Sequence, residues 1–460
     1  MLIVSVKRPA YSIVPLSILL FLVWALYHND VDTSQYRGDL ISSIFRRPSS
    51  RTHNVVFSAS TADHKFFMVD FGDQLAINPN IIPHPVLEDT WIVVAQLLPE
   101  GKGNQFAELA CNAKFDNGTL RCVNHAVALP IASTFGDKCA GDLELLNLNR
   151  GPHDARVFYG PRTPYTIYGS NSAFTCFGQW IQDFRTLVEW GYEIFDENDF
   201  FHATELQRPP PWGTMEKNWF LFFDQNDQAY LHYDVAPGRV FAKVETNGAV
   251  GPDLAPITAA HDEECMARYM PKIGPQLESI HQATNSLLVT LCKRHGPLCI
   301  PDDSNTFIFT VFQHKTYFNF HALYEPYIML FEHTAPFKIH GISRKPFWIH
   351  GRGDGIREVD IAHPHSVRRS VGKESDAGGD EMFYVTSVSW KNKGQKYHGL
   401  SELKDRTYGE LDVLFENKVF ARRFHKTNVD QFSGDHTEVV ADGNSSGDEK
   451  AYVETAEMKV

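Results

Sequence analysis

The sequence predicts an all-β body placed behind a single N-terminal membrane helix. Three observations predict it. Short β-branched and aromatic runs, bounded by Gly, Pro, Asn and Asp, recur through the middle of the chain. The 460 residues include 33 Phe and 17 Tyr, enough for a large folded core. A long uncharged apolar stretch stands near the start.

From Pro9 to Tyr27 no charged residue occurs, and at 1.5 Å rise a helix of that length spans about 28 Å, close to a bilayer core. Lys7 and Arg8 precede it and Asp30 and Asp32 follow, so the positive-inside rule leaves the N-terminus cytosolic and the rest luminal. A cleaved signal peptide is the rival reading, but no convincing small-x-small site follows Trp24. The expected organisation is a cytosolic tail 1–8, a signal anchor 9–27, a stem 28–54, a folded body 55–427 and a disordered acidic tail 428–460. Residues 366–380 read as an inserted exposed loop. The anchor implies a single-pass type II protein of the Golgi or ER membrane.

The seven cysteines suit an oxidising lumen. Cys111 and Cys122 flank Asp116-Asn117-Gly118, a hairpin-turn signal, so their thiols can face one another across paired strands. Cys292 and Cys299 bracket a Gly-Pro loop and form a second candidate pair. No CxxC occurs, which disfavours zinc. Asn117-Gly-Thr and Asn444-Ser-Ser are glycosylation sequons. A net charge of −13 without a basic block disfavours nucleic acid as a partner.

The strands read from Trp91-Ile-Val-Val-Ala-Gln-Leu, Val157-Phe-Tyr, Tyr165-Thr-Ile-Tyr, Trp219-Phe-Leu-Phe-Phe, Phe307-Ile-Phe-Thr-Val-Phe, Tyr327-Ile-Met-Leu-Phe and Phe383-Tyr-Val-Thr-Ser-Val-Ser-Trp. Helical periodicity is convincing only over Ile273–Lys293. Such a series suits a sandwich, barrel or propeller, and the length disfavours a single sandwich.

The strand ends carry a resemblance. Gly151-Pro-His-Asp-Ala-Arg-Val-Phe resembles the Glu-Asp-Pro-Arg signature of five-bladed β-propeller enzymes acting on β-mannosides. That group holds the β-mannoside phosphorylases and, more distantly, fungal β-mannosyltransferases. Asn78-Pro-Asn-Ile-Ile with Thr90-Trp-Ile-Val-Val-Ala, Met215-Glu-Lys-Asn-Trp-Phe-Leu-Phe, Phe320-His-Ala-Leu-Tyr, and Phe383–Trp390 with Tyr397-His-Gly-Leu-Ser-Glu are similar to further segments in the same order. The resemblance implies an all-β, five-bladed propeller for the luminal body. This sequence departs from the pattern at His153, which replaces an acid, at Ala155, which replaces the Pro, and at Gln96, where an Arg is usual.

By resemblance Asp154 is the proton-handling residue, acting through a sugar hydroxyl, and Glu402 is a second acid. Asn78, Arg156, Lys217 and His321 are substrate-binding candidates. Each has a bland alternative. Asp154 and Arg156 can form a turn with an ion pair, and Lys217 can snorkel at a strand edge. Glu402 can be a solvated carboxylate, and His321 and Asn78 can be structural. The expectation is a glycosyltransferase that adds mannose to a glycan or glycolipid from a sugar-nucleotide donor. No cofactor or metal is expected, since the only Asp-x-Asp, Asp30-Val-Asp32, lies at the membrane exit. The alternatives are a hydrolase or phosphorylase of the same fold, or a non-catalytic glycan-binding propeller.

Overall fold

The computed structural model describes residues 52–58, 60–98, 105–189, 199–274, 278–282, 284–291, 301–318, 321–352, 383–390, 408–409, 411–415, 420–423 and 458–459. The anchor segment, the stem up to residue 51, Cys292, Cys299, Glu402 and Asn444 lie outside them. Among the described residues, no helix is long and apolar enough to cross a membrane.

The strands follow the chain as meanders. Asn54–Val56 (β1) and Phe67–Asp70 (β2) come first. Ala76–Pro83 (β3), Trp91–Leu97 (β4), Glu108–Asp116 (β5) and Thr119–Cys122 (β6) then form one antiparallel run, with Val127–Ala128 (β7) added to β5. His153–Tyr159 (β8), Pro164–Asn171 (β9), Phe177–Asp183 (β10) and Thr204–Leu206 (β11) form a four-stranded sheet. Phe220–Phe223 (β12), Ala229–Asp234 (β13) and Val240–Lys243 (β14) form a three-stranded one. Helix Ala259–Tyr269 (α1) follows.

Glu278–Gln282 (β15), Leu287–Thr290 (β16), Thr306–Phe318 (β17), His321–Glu332 (β18) and Ile339–Ile342 (β19) make a five-stranded sheet. Phe347–Ile349 (β20) pairs in parallel with β1. Val385–Trp390 (β21), Leu411–Phe415 (β23) and Phe420–Arg423 (β24) continue onto β2, and Tyr408–Gly409 (β22) pairs with Met458–Lys459 (β25).

These sheets pack face to face in succession, so most strands are covered on both sides and read as apolar runs rather than strict alternation; every residue of β9 is buried. Ile82, Val94 and Ala110 of the first run meet Ala155, Val157 and Tyr168 of the second sheet. Ile167 and Ile181 meet Leu221 and Leu231 of the third. Phe220, Phe222 and Phe241 meet Phe312, Met329 and Phe331 of the fourth. Phe309 and Leu330 meet Val385 and Val388 of the last.

The circuit then returns to its start. Ser387 Oγ accepts from Ile81 N–H at 3.3 Å, and Thr386 Oγ1 donates to Pro79 O at 2.8 Å. Side-chain amides also stitch neighbouring sheets. Gln313 exchanges two hydrogen bonds with the Val385 backbone, at 3.0 and 2.9 Å. The Asn285 amide does the same at Val388, at 2.8 and 3.0 Å. Each fills a backbone group that would otherwise be buried unpaired. The architecture is all-β and propeller-like.

Two expectations need correction. The described residues give four sheets of three or more strands, one of them of nine, rather than five separate blades. The merger occurs because β2, paired with β24 on one edge, runs parallel to β6 on the other, at Val69–Leu120 and Asp70–Arg121. The expected helix over 273–293 is also absent: Glu278–Gln282 and Leu287–Thr290 are strands, and their apolar spacing serves pairing with β17. The helix lies earlier, at Ala259–Tyr269. It is tied down by a buried charge, because Arg239 donates to Asp262 Oδ2 and Phe337 O, both at 2.8 Å, between the rings of Phe241 and Phe331.

Candidate active site

Asn78 and Asp154 occupy equivalent irregularities on the two neighbouring strands β3 and β8. The β3–β4 register shifts between Ile77 and Asn80, and the β8–β9 register shifts between His153 and Arg156. Each shift carries one left-handed residue, Asn78 at φ 55° and Asp154 at φ 52°. Asn and Asp tolerate this region better than other side chains with a Cβ, although it still costs energy, and a bulge re-aims the side chain it bears. Here the two are aimed at each other, and Asn78 Nδ2 donates to Asp154 Oδ1.

Neighbouring groups hold this backbone. Gln96 Oε1 accepts from Asp154 N–H at 3.1 Å, and Glu108 Oε1 accepts from Ala155 N–H at 3.2 Å. Asn80 Nδ2 donates to Asn78 O at 2.9 Å and to Ala155 O at 2.6 Å, which locks the two bulges together. Arg156, buried, donates back to Asp154 O. Gly151 permits the approach to this strand, since a Cβ there would lie 2.0 Å from Phe106 O.

Asp154 opens on a narrow cleft lined also by His153, Arg156, Gly169, Phe177, Gln179, Lys217, Asn218 and Trp219. Gly169 leaves room for the Phe177 ring, which a Cβ would meet at 2.3 Å. Lys217 is exposed and Asn218 is left-handed at φ 63°, while Gln179 Oε1 accepts from Trp219 N–H at 3.3 Å. His153 packs against Phe106, with ring centroids 3.9 Å apart, and against Phe177 at 5.3 Å. Burial first, opposed by Asp154 and aided by Lys217, lowers its pKa to about 4. It is therefore a neutral wall at ordinary pH and does not act as the acid it replaces.

Glu108 is fully buried. Burial first, and the nearby Asp154 charge, push its carboxyl well above the ordinary range against the opposing pull of Ala155 N–H and Arg156. From the fourth sheet His281 comes within electrostatic range of the same cleft. Burial first, then Lys315 and Lys217, lower its pKa to about 4. Its Nε2 is 2.9 Å from Ser279 Oγ, and its ring meets Tyr324 edge-on at 6.2 Å.

Of the sequence candidates, Asn78, Asp154, Arg156 and Lys217 come together. His321 opens β18 opposite Phe318, and its side chain lies outside the described residues, as does Glu402. Cys111 and Cys122 form a disulfide across the β5–β6 hairpin, with Asn117 exposed at its tip. Sequence reasoning did not single out the Cys139–Cys176 disulfide, Glu108, Gln179, Trp219 or His281. Among the described residues no group of His, Cys, Asp and Glu could hold a metal.

The arrangement offers one carboxylate with a hydrogen-bonded partner, a cation across the cleft and aromatic walls. That combination can present a proton to an oxygen while a polyhydroxylated or anionic group is held beside it.

No family model matches the chain, and no curated protein matches it. Among solved structures, it is similar to the β-1,2-mannobiose phosphorylase from Listeria innocua in complex with β-1,2-mannobiose, at 8% identity, covering 78% of this chain and 89% of that one with a TM-score of 0.38. It is also similar to a GH43 endo-arabinanase from Bacillus licheniformis, at 11% identity, covering 79% and 99% with a TM-score of 0.34. A third is an exo-1,5-α-L-arabinanase from a bovine ruminal metagenomic library, at 8% identity, covering 79% and 99% with a TM-score of 0.34.

Proposed function

We propose that the chain is a carbohydrate-active enzyme whose Asp154 cleft cleaves a glycosidic bond by phosphorolysis. The observation that carries this reading is the pair of left-handed bulges that aim Asn78 and Asp154 at one another at the cleft, with Lys217 beside them. Hydrolysis by an inverting route needs a second carboxylate to activate water. Asp154 is the only carboxylate among the described residues that line the cleft. Phosphate needs no such base, because it is already a nucleophile, but it does need cations. Arg156 and Lys217 supply them, with Lys315 nearby.

In the proposed step a phosphate oxygen bonds to the anomeric carbon as the bond from that carbon to the leaving oxygen breaks. Asp154 delivers the proton to the leaving oxygen, directly or through a sugar hydroxyl.

A second reading is the synthetic counterpart: transfer of mannose from a sugar nucleotide to a glycan or glycolipid, at the luminal side of a Golgi or ER membrane. The apolar segment 9–27 and the two disulfides of the body favour it, since disulfides persist in oxidising compartments. For the fold, we read the nine-stranded sheet as two blades in edge contact, β3–β6 and β21, β23, β24 with β2. That makes five, the last closed by an N-terminal strand.

Purified chain incubated with β-1,2-mannobiose and inorganic phosphate should release mannose 1-phosphate, and Asp154→Asn should stop it. Formation of a mannosylated acceptor and GDP from GDP-mannose, without phosphorolysis, would select the second reading. Release of free mannose at the same rate with and without phosphate would select hydrolysis. If Asp154→Asn turned over like the wild type, the assigned role would be wrong in every version.

A further inference from the structure

The chain between β11 and β12 reaches the cleft at Lys217, Asn218 and Trp219, and five residues earlier it presents Trp212, 43% exposed. This indole is not loose. Its N–H donates to Arg208 O at 2.8 Å, and its ring meets Phe174 at 5.7 Å in an edge contact. The turn beneath it is braced by Arg208, which grips Glu216 with two hydrogen bonds of 3.0 and 2.7 Å. Glu216 also accepts from Gly213 N–H.

A second segment runs alongside. Thr175 Oγ1 donates to Gly213 O at 2.6 Å, Phe177 N–H to Thr214 O at 3.3 Å, and Glu216 N–H to Phe177 O at 2.8 Å. Phe177 and Met215 thus form a parallel bridge. Two strips lie side by side, 174–177 and 212–217. Phe177 and Lys217 stand at the cleft end, and Phe174 and Trp212 at the far end. Both strips bend, so at no more than about 3.3 Å per residue the aromatic pair lies within roughly 16 Å of the cleft end. That is within the span of a short oligosaccharide.

We infer that Trp212, backed by Phe174, is a remote stacking subsite for the outer rings of a glycan whose inner bond sits at Asp154. This rests on the glycan reading of the cleft and adds to it a preference for chain length. A pyranose offers an apolar C–H face and a polar rim. The site offers a ring face with Thr175, Arg208 and Glu216 close by, a polar surround ill-suited to a purely apolar partner. Because the indole is already held in place, little side-chain freedom remains to be lost on binding.

The test is calorimetric binding of the full chain to manno-, gluco-, xylo- and arabino-oligosaccharides, each as the disaccharide and the hexasaccharide. For at least one sugar the wild type should bind the hexasaccharide about tenfold more tightly than the disaccharide. Trp212→Ala should abolish that gain and leave disaccharide affinity and thermal stability unchanged, while Trp212→Phe should keep part of it. No gain with length for any sugar, or a gain that survives Trp212→Ala, overturns the inference. Its failure is separable from that of the cleft reading. Disaccharide turnover that depends on Asp154 without a length effect leaves the cleft reading standing alone. Length-dependent binding that needs Trp212, with no turnover, leaves only the stacking subsite.

Discussion

Replacing Glu108 with Gln should raise stability in a pH-dependent way, because the buried carboxyl behind Asp154 takes up a proton when the chain folds. Its side chain is 0% exposed, Oε1 accepts from Ala155 N–H at 3.2 Å, and Oε2 has no partner among the described residues. Burial first, and then Asp154, raise its pKa well above the ordinary 4.5. The unfolded carboxyl ionises near 4.5 while the folded one stays neutral. Stability from this group is therefore complete below that pH and is lost as pH rises toward the folded value. The slope approaches about 1.4 kcal/mol per pH unit for one proton. Gln has the same shape, keeps an acceptor for Ala155 N–H and does not titrate. Glu108→Gln should match the wild type within about 1 kcal/mol at pH 5 and gain on it steadily as pH rises toward the folded value. Glu108→Ala should lose at least about 1–3 kcal/mol across that range, because it strands Ala155 N–H and opens a cavity. Urea unfolding of the three proteins across the same range measures this. A Gln-minus-Glu difference that does not move with pH would refute the proton uptake.

Three other perturbations follow. Asp154→Asn should lower kcat by about 10²–10⁴-fold with glycan binding retained, and a loss under tenfold in steady-state kinetics would reject Asp154 as the proton donor. Around Glu325, burial would raise the carboxyl, but His314 at 3.5 Å and His53 at 2.8 Å overcome it and lower its pKa to about 2; burial would lower His314, but Glu325 and Glu278 raise it. The carboxylate's share of stability, up to about 3 kcal/mol, is present above its unfolded 4.5 and fades as pH falls toward 2. The His314 share is present below its unfolded 6.5 and fades as pH rises through its raised value, so Tm should peak in mild acid. His314→Gln should make the alkaline fall shallower by the His314 share, and a Tm difference from wild type that is the same at every pH would contradict the assignment. Reducing or replacing Cys139–Cys176, 37 residues apart, should cost about 2–4 kcal/mol. It should also weaken substrate binding, since Phe177 packs on the disulfide and lines the cleft; an unchanged unfolding midpoint under reductant would count against it.

Local signals in the sequence were readable, and long-range closure was not. Trp91–Leu97, Phe307–Phe312 and Val385–Trp390 announce themselves by β-branched and aromatic content, and the Cys111–Cys122 hairpin by Asp-Asn-Gly. No local pattern tells that Phe67–Asp70 joins both Phe420–Arg423 and Thr119–Cys122, because that pairing is settled by what the completed ring leaves open. Helix Ala259–Tyr269 was missed since its core-facing side is short: Cys265, Met266 and Tyr269 are only partly buried, and its one buried residue is the acid Asp262. At the site, residue types were legible but conformations were not. Asn78, Asp154 and Asn218 are all of the kind that accepts a left-handed backbone, and their shared habit was the one unused clue. His281 gave no signal and Trp219 read only as a strand residue, as their places at the cleft come only from the packing of separate sheets around it.

The two departures from the resembled signature behind Asp154 read differently once the packing is known. Ala155 replaces a proline, and its N–H is the donor that Glu108 receives. A proline has no N–H and restricts the preceding residue to extended backbone, whereas Asp154 sits at φ 52°. Ala155, the left-handed Asp154 and the buried Glu108 therefore form one consistent set, in which restoring the proline alone would break two features at once. Gln96 belongs to the same set. Its carbonyl takes the Asp154 N–H that the bulge frees from the strand ladder, a role an arginine, having only donors, could not fill. What looked in sequence like erosion of a binding arginine and a signature proline is, in the folded chain, a different means of holding the same carboxylate at the cleft. The differences bear on how Asp154 is supported and leave it lining the cleft, which is why they do not weigh against the proposed catalysis.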